Sequence, residues 1–307
     1  MINSQFALIK RELWEHRAIY VMPLVIAVLV SLMSITGQVA VSGFDHAVDI
    51  GILGATNLGE NERSAAITVL MISLSSTFVF AMWILITFYA LDALYAERKD
   101  RSILFWRSIP VTDFDTVMSK LLTALVVIPL VTFVVIVVTH LIVLLITSMW
   151  LGARGANAWH LIWTAAPFFD NWTATLIFVL ALSLWLSPFA GWFLFVSAFT
   201  KRSPLLIASL PIAILPLLER IVFKTSVFAE AFFVRSVKMP LFAGLDNLEL
   251  LFQEGKDLKM VGDASLSLMS LLDLGQFFGS VGLWSGLVVC GLFTTAAIYV
   301  RRYRDDS

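Results

Sequence analysis

Six long apolar stretches constrain the fold of this chain more than any other feature. Five of them carry no charged residue over the roughly 20 helical residues that a bilayer core requires. They cover about residues 19–36, 65–91, 121–150, 173–199 and 279–300. The sixth, about 204–223, contains Glu219 and Arg220, which can reach the headgroups from a helix end. The sequence therefore predicts an all-α polytopic membrane protein with six transmembrane helices.

The composition agrees with a membrane protein and argues against two other classes. Of 307 residues, 59% are hydrophobic and 14% are charged, whereas soluble domains are about one quarter charged. A net charge of -1 gives no basis for nucleic-acid binding. The single cysteine, Cys290, excludes a disulfide within one chain.

The orientation of the spans follows from lysine and arginine in the connections, which favour the cytoplasmic side. These residues precede the first span, lie between the second and third and between the fourth and fifth, and follow the last. Of the alternate connections, 37–64 and 151–172 hold only Arg63 and Arg154 as basic residues, and the last alternate connection is the long segment 225–273. Six spans with both termini in the cytoplasm therefore fit this distribution.

Two segments outside the spans are predicted to be helical. Ser4 to Arg17 is predicted to form an amphipathic helix in the membrane interface, with Ser4 as its N-cap. Its apolar face would hold Phe6, Ile9 and Leu13, opposite Lys10, Glu12 and Arg17. Residues 225–273, with several short apolar runs, are predicted to form short extracellular helices before the last span.

A basic, aromatic segment between the second and third spans, 92–117, is longer than a simple turn requires. Glu97 and Arg101 are four residues apart and would support a short helix by a few tenths of a kcal/mol. Pro110 would end the element, and Thr112 with Asp115 predicts a capping box that begins the next helix. Its aromatic and arginine residues suit either a protein-docking surface or an anchor at the membrane interface, about equally.

The string Tyr95 to Ser108, with Pro110 and Ser119-Lys120-Leu121, resembles the coupling segment of ABC-2 type transporter permeases. The resemblance extends to the N-terminal amphipathic helix, the helical segment before the last span, and the tail Arg301-Arg302-Tyr303-Arg304-Asp305. It implies one ABC-2 transmembrane domain over 1–307, surrounded by membrane lipids and paired with a second permease copy. It also implies two copies of a cytosolic ATPase. The implied coupling residues are Glu97, Arg98, Asp100, Arg101, Ile103, Phe105, Trp106, Arg107 and Pro110.

No ATP-binding motif is present in this chain. A phosphate-binding loop needs Gly, four residues, and then Gly-Lys-Ser/Thr, whereas Gly255-Lys256 is followed by Asp257. We therefore expect no enzymatic activity and no cofactor here, with ATP and Mg on the partner subunit. Asp45, His46 and Asp49 are a weak metal alternative because a fourth ligand is lacking, so no metal site is expected.

His140 and four prolines are the notable residues inside the spans. His140 is the one ionisable side chain far from the span ends, and it suggests either a polar functional site or a hydrogen bond between helices. The prolines predict kinks or freed backbone carbonyls. They are Pro129, Pro188, Pro211 and Pro216.

The leading functional hypothesis is the permease subunit of an ATP-driven exporter whose substrate the sequence does not identify. One alternative is a membrane anchor for an ATPase complex that drives envelope assembly or regulation without bulk transport. Another is a secondary transporter, which would be expected to show paired repeats and coupling-ion groups near the midplane. The sequence shows neither, because His140 stands alone.

Overall fold

The computed structural model of this chain describes residues 2–35, 59–100, 111–153, 155–242 and 267–303. Helices dominate these ranges, and their one β-type pairing is an isolated bridge between Phe242 and Leu272. The prediction of an all-α polytopic membrane protein is confirmed, because six of the described helices are long and apolar enough to cross a membrane.

The six long helices correspond to the six predicted spans. They are α2 (Ala18–Ile35), α3 (Glu60–Asp92), α5 (Asp113–Ala153), α6 (Phe168–Trp185), α8 (Pro204–Phe223) and α11 (Val281–Tyr303). Shorter helices connect or flank them. These are α1 (Ile2–Glu15), α4 (Tyr95–Lys99), α7 (Ser187–Phe199), α9 (Val227–Val237) and α10 (Leu274–Gly279).

The fourth predicted span, 173–199, is two helices rather than one. Helix α6 ends at Trp185, Leu186 adopts a non-helical conformation, and α7 begins at Ser187. Pro188 lies in the first turn of α7, where its missing N–H costs nothing but where it prevents α6 from continuing. The kink predicted from Pro188 is therefore a complete break.

A second proline is accommodated by a hydrogen bond from a neighbouring helix. Within α5, residues Thr123–Val127 form a π-helical turn just before Pro129. Pro129 has no N–H to donate to the carbonyl of Leu125, four residues earlier. The Ser183 hydroxyl on α6 donates to that carbonyl instead, at 2.7 Å. The freed acceptor thus joins α5 to α6.

Helix α1 differs from its predicted orientation. The helix already begins at Ile2, so Ser4 lies inside it and is not the N-cap. Phe6 is 72% exposed, while Leu8 and Glu12 face the protein interior. The prediction that Glu12 lies on the polar face was wrong, because its carboxylate is buried against an ammonium and a hydroxyl. Leu13, on the predicted apolar face, packs against the core. Lys10 lies 4.9 Å from the ring of exposed Trp14, as suits an interfacial helix.

Helix α8 contributes little to the core of this chain. The helix continues through a π-helical turn, Glu219–Phe223, which gives it the length to cross a membrane. Only 6% of its most apolar window is buried, compared with 22–50% in the other five spans. Most of its side chains are therefore available to lipid or to another protein.

The closest helix packing joins α7 to α11. A Cβ atom on Gly191 would lie 3.0 Å from the backbone Cα and carbonyl oxygen of Cys290. We expect Gly191→Ala to lower the free energy of unfolding by about 1–3 kcal/mol, because the two backbones must move apart. Chemical unfolding of the purified protein in detergent measures this loss.

The matched control is Gly291→Ala on α11, where a Cβ would meet no atom within 4 Å. This variant should be as stable as the parent or slightly more so, because alanine favours a helix. Equal losses in both variants would show that close packing at Gly191 is not the cause.

Candidate functional site

Six charged side chains from four helices meet at one end of the helix bundle, which we call the charged end. Three are basic and three are acidic, so their formal charges balance. We call this group the ionic cluster. It consists of Arg11 and Glu12 on α1, Glu97 on α4, Asp113 and Lys120 on α5, and Arg301 on α11.

Glu97 is the centre of the ionic cluster. Its Oε1 accepts a hydrogen bond from Arg11 Nη2 at 3.0 Å and lies 3.1 Å from Lys120 Nζ. Its Oε2 accepts from Arg301 Nη1 at 2.6 Å. Arg301 also donates from Nε to Asp113 Oδ1 at 2.9 Å. One carboxylate thus binds cations from three different helices.

Glu12 and Lys120 form the most deeply buried pair in the ionic cluster. Lys120 Nζ donates to Glu12 Oε1 at 2.8 Å, and the two residues are 0% and 1% exposed. The Tyr89 hydroxyl on α3 donates to the other oxygen, Oε2, at 2.8 Å. Buried charges are tolerated when they are paired and hydrogen-bonded, and both carboxylate oxygens here have partners.

The surroundings of the ionic cluster shift the pKa values of Arg11 and His16 in opposite directions. Burial disfavours the charged form of Arg11, but the hydrogen bond to Glu15 and the charge of Glu97 outweigh it and raise the pKa of the guanidinium. Burial lowers the pKa of His16 despite the nearby charge of Glu12. Arg11 therefore stays charged, while His16 is neutral at neutral pH.

Helix α4 is fixed to the end of α7 by a second set of contacts. The backbone N–H groups of Leu94 and Tyr95 donate to the Ser197 hydroxyl at 3.0 and 2.9 Å. Arg98 Nη2 donates to the carbonyls of Ser197 and Thr200, the latter at 2.8 Å. A cation at these last carbonyls of α7 also suits the negative end of the helix dipole.

Only part of the predicted coupling segment lies within the described residues. Glu97 and Arg98 point into the protein, whereas Asp100 is exposed. Thr112 is confirmed as the N-cap, because its Oγ1 accepts from the Asp115 N–H at 3.0 Å and α5 begins at Asp113. The Asp115 carboxylate accepts from the Thr112 hydroxyl at 2.6 Å. The remaining predicted residues lie outside the described ranges. They are Arg101, Ile103, Phe105, Trp106, Arg107 and Pro110.

His140 is buried between helices, with 1% of its surface exposed. Its Nε2 lies 3.3 Å from the Ser75 hydroxyl on α3, which matches the interhelical hydrogen bond considered above. Because it follows Lys120 by 20 residues, it lies about 30 Å along α5 from the ionic cluster.

One group of described residues could be arranged around a metal ion. Ligand atoms of Glu12, Glu15 and His16 lie within 4.8 Å of one another. Both oxygens of Glu12 are already engaged, by Lys120 and Tyr89. A cation would have to displace a buried ammonium, so the group is better described as part of the ionic cluster.

The sequence did not identify Glu12, Tyr89, Lys120 or Arg301 as site residues. Glu12 was placed on the polar face of α1, Lys120 in the string that resembles the coupling segment, and Arg301 in a basic tail. The available signal was the four-residue spacing of Leu8 and Glu12, which places an acid on the same helical face as a leucine.

Comparison with known proteins adds no family assignment. No protein-family model, no curated protein and no solved structure matches the chain. Function is therefore inferred from the residues themselves, and above all from the ionic cluster and the attachment of α4. The coupling role of 95–110 stays a prediction.

Proposed function

We propose that this chain is the transmembrane permease subunit of an ATP-binding-cassette exporter of the ABC-2 type. In this proposal the charged end and both termini are cytoplasmic, in the inner membrane of a bacterium. A separate ATPase subunit hydrolyses ATP and docks on the segment that follows α4. The supporting features are the sequence resemblance around 95–121, the six spans, and the lysine and arginine distribution.

The observation that carries the proposal is the fixation of both chain ends that flank residues 101–110. Before this segment, Glu97 and Arg98 bind α4 to α1, α5, α7 and α11. After it, the Thr112 cap begins α5, and Asp113 binds Arg301. A force applied to the segment would therefore act on several span ends together.

This arrangement suits a lever more than a flexible loop. Closure of two ATPase subunits would press on the segments, and the ionic cluster would transmit the displacement to α3, α5 and α11. Buried, geometrically specific ion pairs resist bending within the group, so the span ends would move as one unit. Cargo would then leave on the opposite side of the membrane.

We further propose that the permease acts as a dimer that uses α8. Its low burial leaves a nearly complete helix surface available. Helices in a membrane associate by close packing, since lipid is as apolar as their side chains. The sequence also places Ser73, Ser75, Ser76 and Thr77 on α3. Ser75 is buried against His140, but the exposed Ser76 and Thr77 would permit close approach of a span of the second copy.

We expect Trp106→Ala and Phe105→Ala each to weaken ATPase binding by about thirty-fold. Truncating a buried aromatic anchor typically costs about 2 kcal/mol, which corresponds to that factor. The measurement is affinity between the ATPase that co-purifies with the parent and the permease in lipid nanodiscs. The intact complex should contain two copies of each subunit by mass.

Trp159→Ala is the matched aromatic control, because Trp159 is 69% exposed and precedes α6 at the opposite end of the bundle. Asp49→Ala, in the 37–64 connection, is a second. Neither should change ATPase binding. If Trp106→Ala and Phe105→Ala retain full binding and ATP turnover, the segment is a membrane anchor. If these two variants lose ATPase binding but vesicles with the parent complex transport no substrate, the chain is a membrane anchor for the ATPase and not an exporter.

A further inference from the structure

A cavity of about 360 Å³ opens beside the ionic cluster at the charged end. Three spans reach their ends around it, since Ala18 begins α2, Asp92 ends α3 and Pro204 begins α8. Its volume is at the lower end of the range for small-molecule sites. The cavity therefore lies at the boundary between the hydrocarbon core and the headgroups.

The walls of the cavity are apolar. Ile19 and Leu85 are buried lining residues, while Phe88 and Leu205 also line it and remain 55% and 47% exposed. An opening between two exposed apolar side chains, on the outside of a membrane bundle, faces lipid rather than water. This shape suits a hydrocarbon chain that enters from the side.

Exposed basic residues lie next to the lining residues in the chain, and we call these neighbouring positions the cavity rim. Arg17 lies between two lining residues, His16 and Ala18, and Lys201 and Arg202 come shortly before lining residue Pro204. All three cations are exposed. Two exposed acids are equally near, Asp92 in the lining and Glu15 beside His16. Three positive charges against two negative leave an excess of one positive charge, which favours an anionic headgroup.

We propose that this cavity binds one anionic amphiphile of the membrane. Its acyl chain lies against Ile19, Leu85 and Leu205. Its phosphate or carboxylate is held by Arg17, Lys201 and Arg202. Basic pockets between transmembrane helices are known to suit acidic headgroups in this way. The site is independent of the ATPase proposal, because it needs only this chain and its membrane.

Occupancy of the cavity would stabilise the charged end. Tyr89 and His16 line the cavity and also contact Glu12, at 2.8 and 3.7 Å. An amphiphile packed against these two side chains would restrict them in the positions that serve the ionic cluster. A ligand that binds only the folded state raises its stability by mass action. Binding should therefore raise the unfolding temperature of the protein.

The test uses the purified full chain, stripped of lipid in a neutral detergent, with phosphatidylglycerol and phosphatidylcholine as probes. Retained lipid is counted by native mass spectrometry and affinity is measured by titration. Phosphatidylglycerol should bind at one site and raise the unfolding temperature, whereas phosphatidylcholine should do neither. Equal binding of both lipids would overturn the proposal.

Two variants examine the two halves of the site. Arg17→Gln/Lys201→Gln/Arg202→Gln should lower phosphatidylglycerol affinity by roughly 100-fold, since each basic residue near a membrane contributes about a factor of five. Ala18→Phe should lower it by filling an exposed part of the lining, without disturbing the core. Unchanged affinity in either variant would contradict the assigned site.

Lys10→Gln/Lys99→Gln/Arg302→Gln is the matched control, because it removes three exposed cations from the charged end outside the cavity rim. It should leave specific binding within about two-fold. An equal loss in this control would show that general surface charge attracts the lipid. Inorganic phosphate at millimolar concentration should not displace the lipid. If it does, the site binds a free anion and needs no acyl chain.

Discussion

Glu97→Gln should lower the free energy of unfolding of this protein by about 3–5 kcal/mol. Glutamine has nearly the same shape, so packing is retained while the charge is lost. Arg11, Lys120 and Arg301 would then share fewer negative partners inside the protein. Removing one member of a buried ion group costs this much because the remaining charges are left without compensation. Chemical unfolding in detergent micelles measures the loss.

The matched control is Glu15→Gln, on the same helix end as Glu12. Glu15 binds Arg11 at 2.8 Å, but its side chain is 41% exposed. A solvent-exposed pair of this kind contributes about 0–1 kcal/mol. Comparable losses in the two variants would mean that the burial of Glu97 is unimportant. A loss of only a few tenths of a kcal/mol for Glu97→Gln would instead match a surface helix pair, as the sequence alone suggested.

Lys120→Met should also lower the free energy of unfolding by about 3–5 kcal/mol, because it leaves a buried negative charge without its cation. Glu12, which is 1% exposed, would keep the hydrogen bond from Tyr89 but lose its ammonium partner at 2.8 Å. Methionine fills much of the volume of the lysine stem, so a cavity is not the main effect. The same unfolding measurement applies.

Combining Lys120→Met with Glu12→Gln separates charge from packing. A glutamine amide at position 12 can still accept from Tyr89, and no buried carboxylate is left unpaired. The double variant should therefore be more stable than Lys120→Met alone. Contacting residues commonly show coupling energies of about 0.5–3 kcal/mol. Strict additivity of the two single losses would refute direct coupling between these side chains.

The spans could be predicted from sequence because a bilayer allows few alternatives. A long uncharged stretch must satisfy its backbone internally, and a helix does so within the stretch itself. This logic gave the six spans and even the extension of α8 through Glu219 and Arg220. It did not show that 173–199 divides at Leu186, since hydropathy does not report the backbone conformation of one residue.

The ionic cluster could not be predicted because it depends on which helices are neighbours. The local spacing of Glu97 to Arg101 gave no indication of its ion pairs with Arg11, Lys120 and Arg301. Single-sequence patterns describe contacts three or four residues apart, whereas these pairs are set by tertiary packing. The same limit applied to Glu12, whose charge suggested a solvated face of α1 although the residue is buried.

The residues of the ionic cluster are far apart in the sequence, and this separation has a consequence for biosynthesis. Glu97 is translated long before Arg301, which lies near the end of the last helix. Until that helix is inserted, the acid lacks one of its three cations, and Asp113 lacks the partner that it meets at 2.9 Å. The charged end is therefore completed last. A chain whose synthesis stops before residue 301 would contain every earlier span but an incomplete ionic cluster.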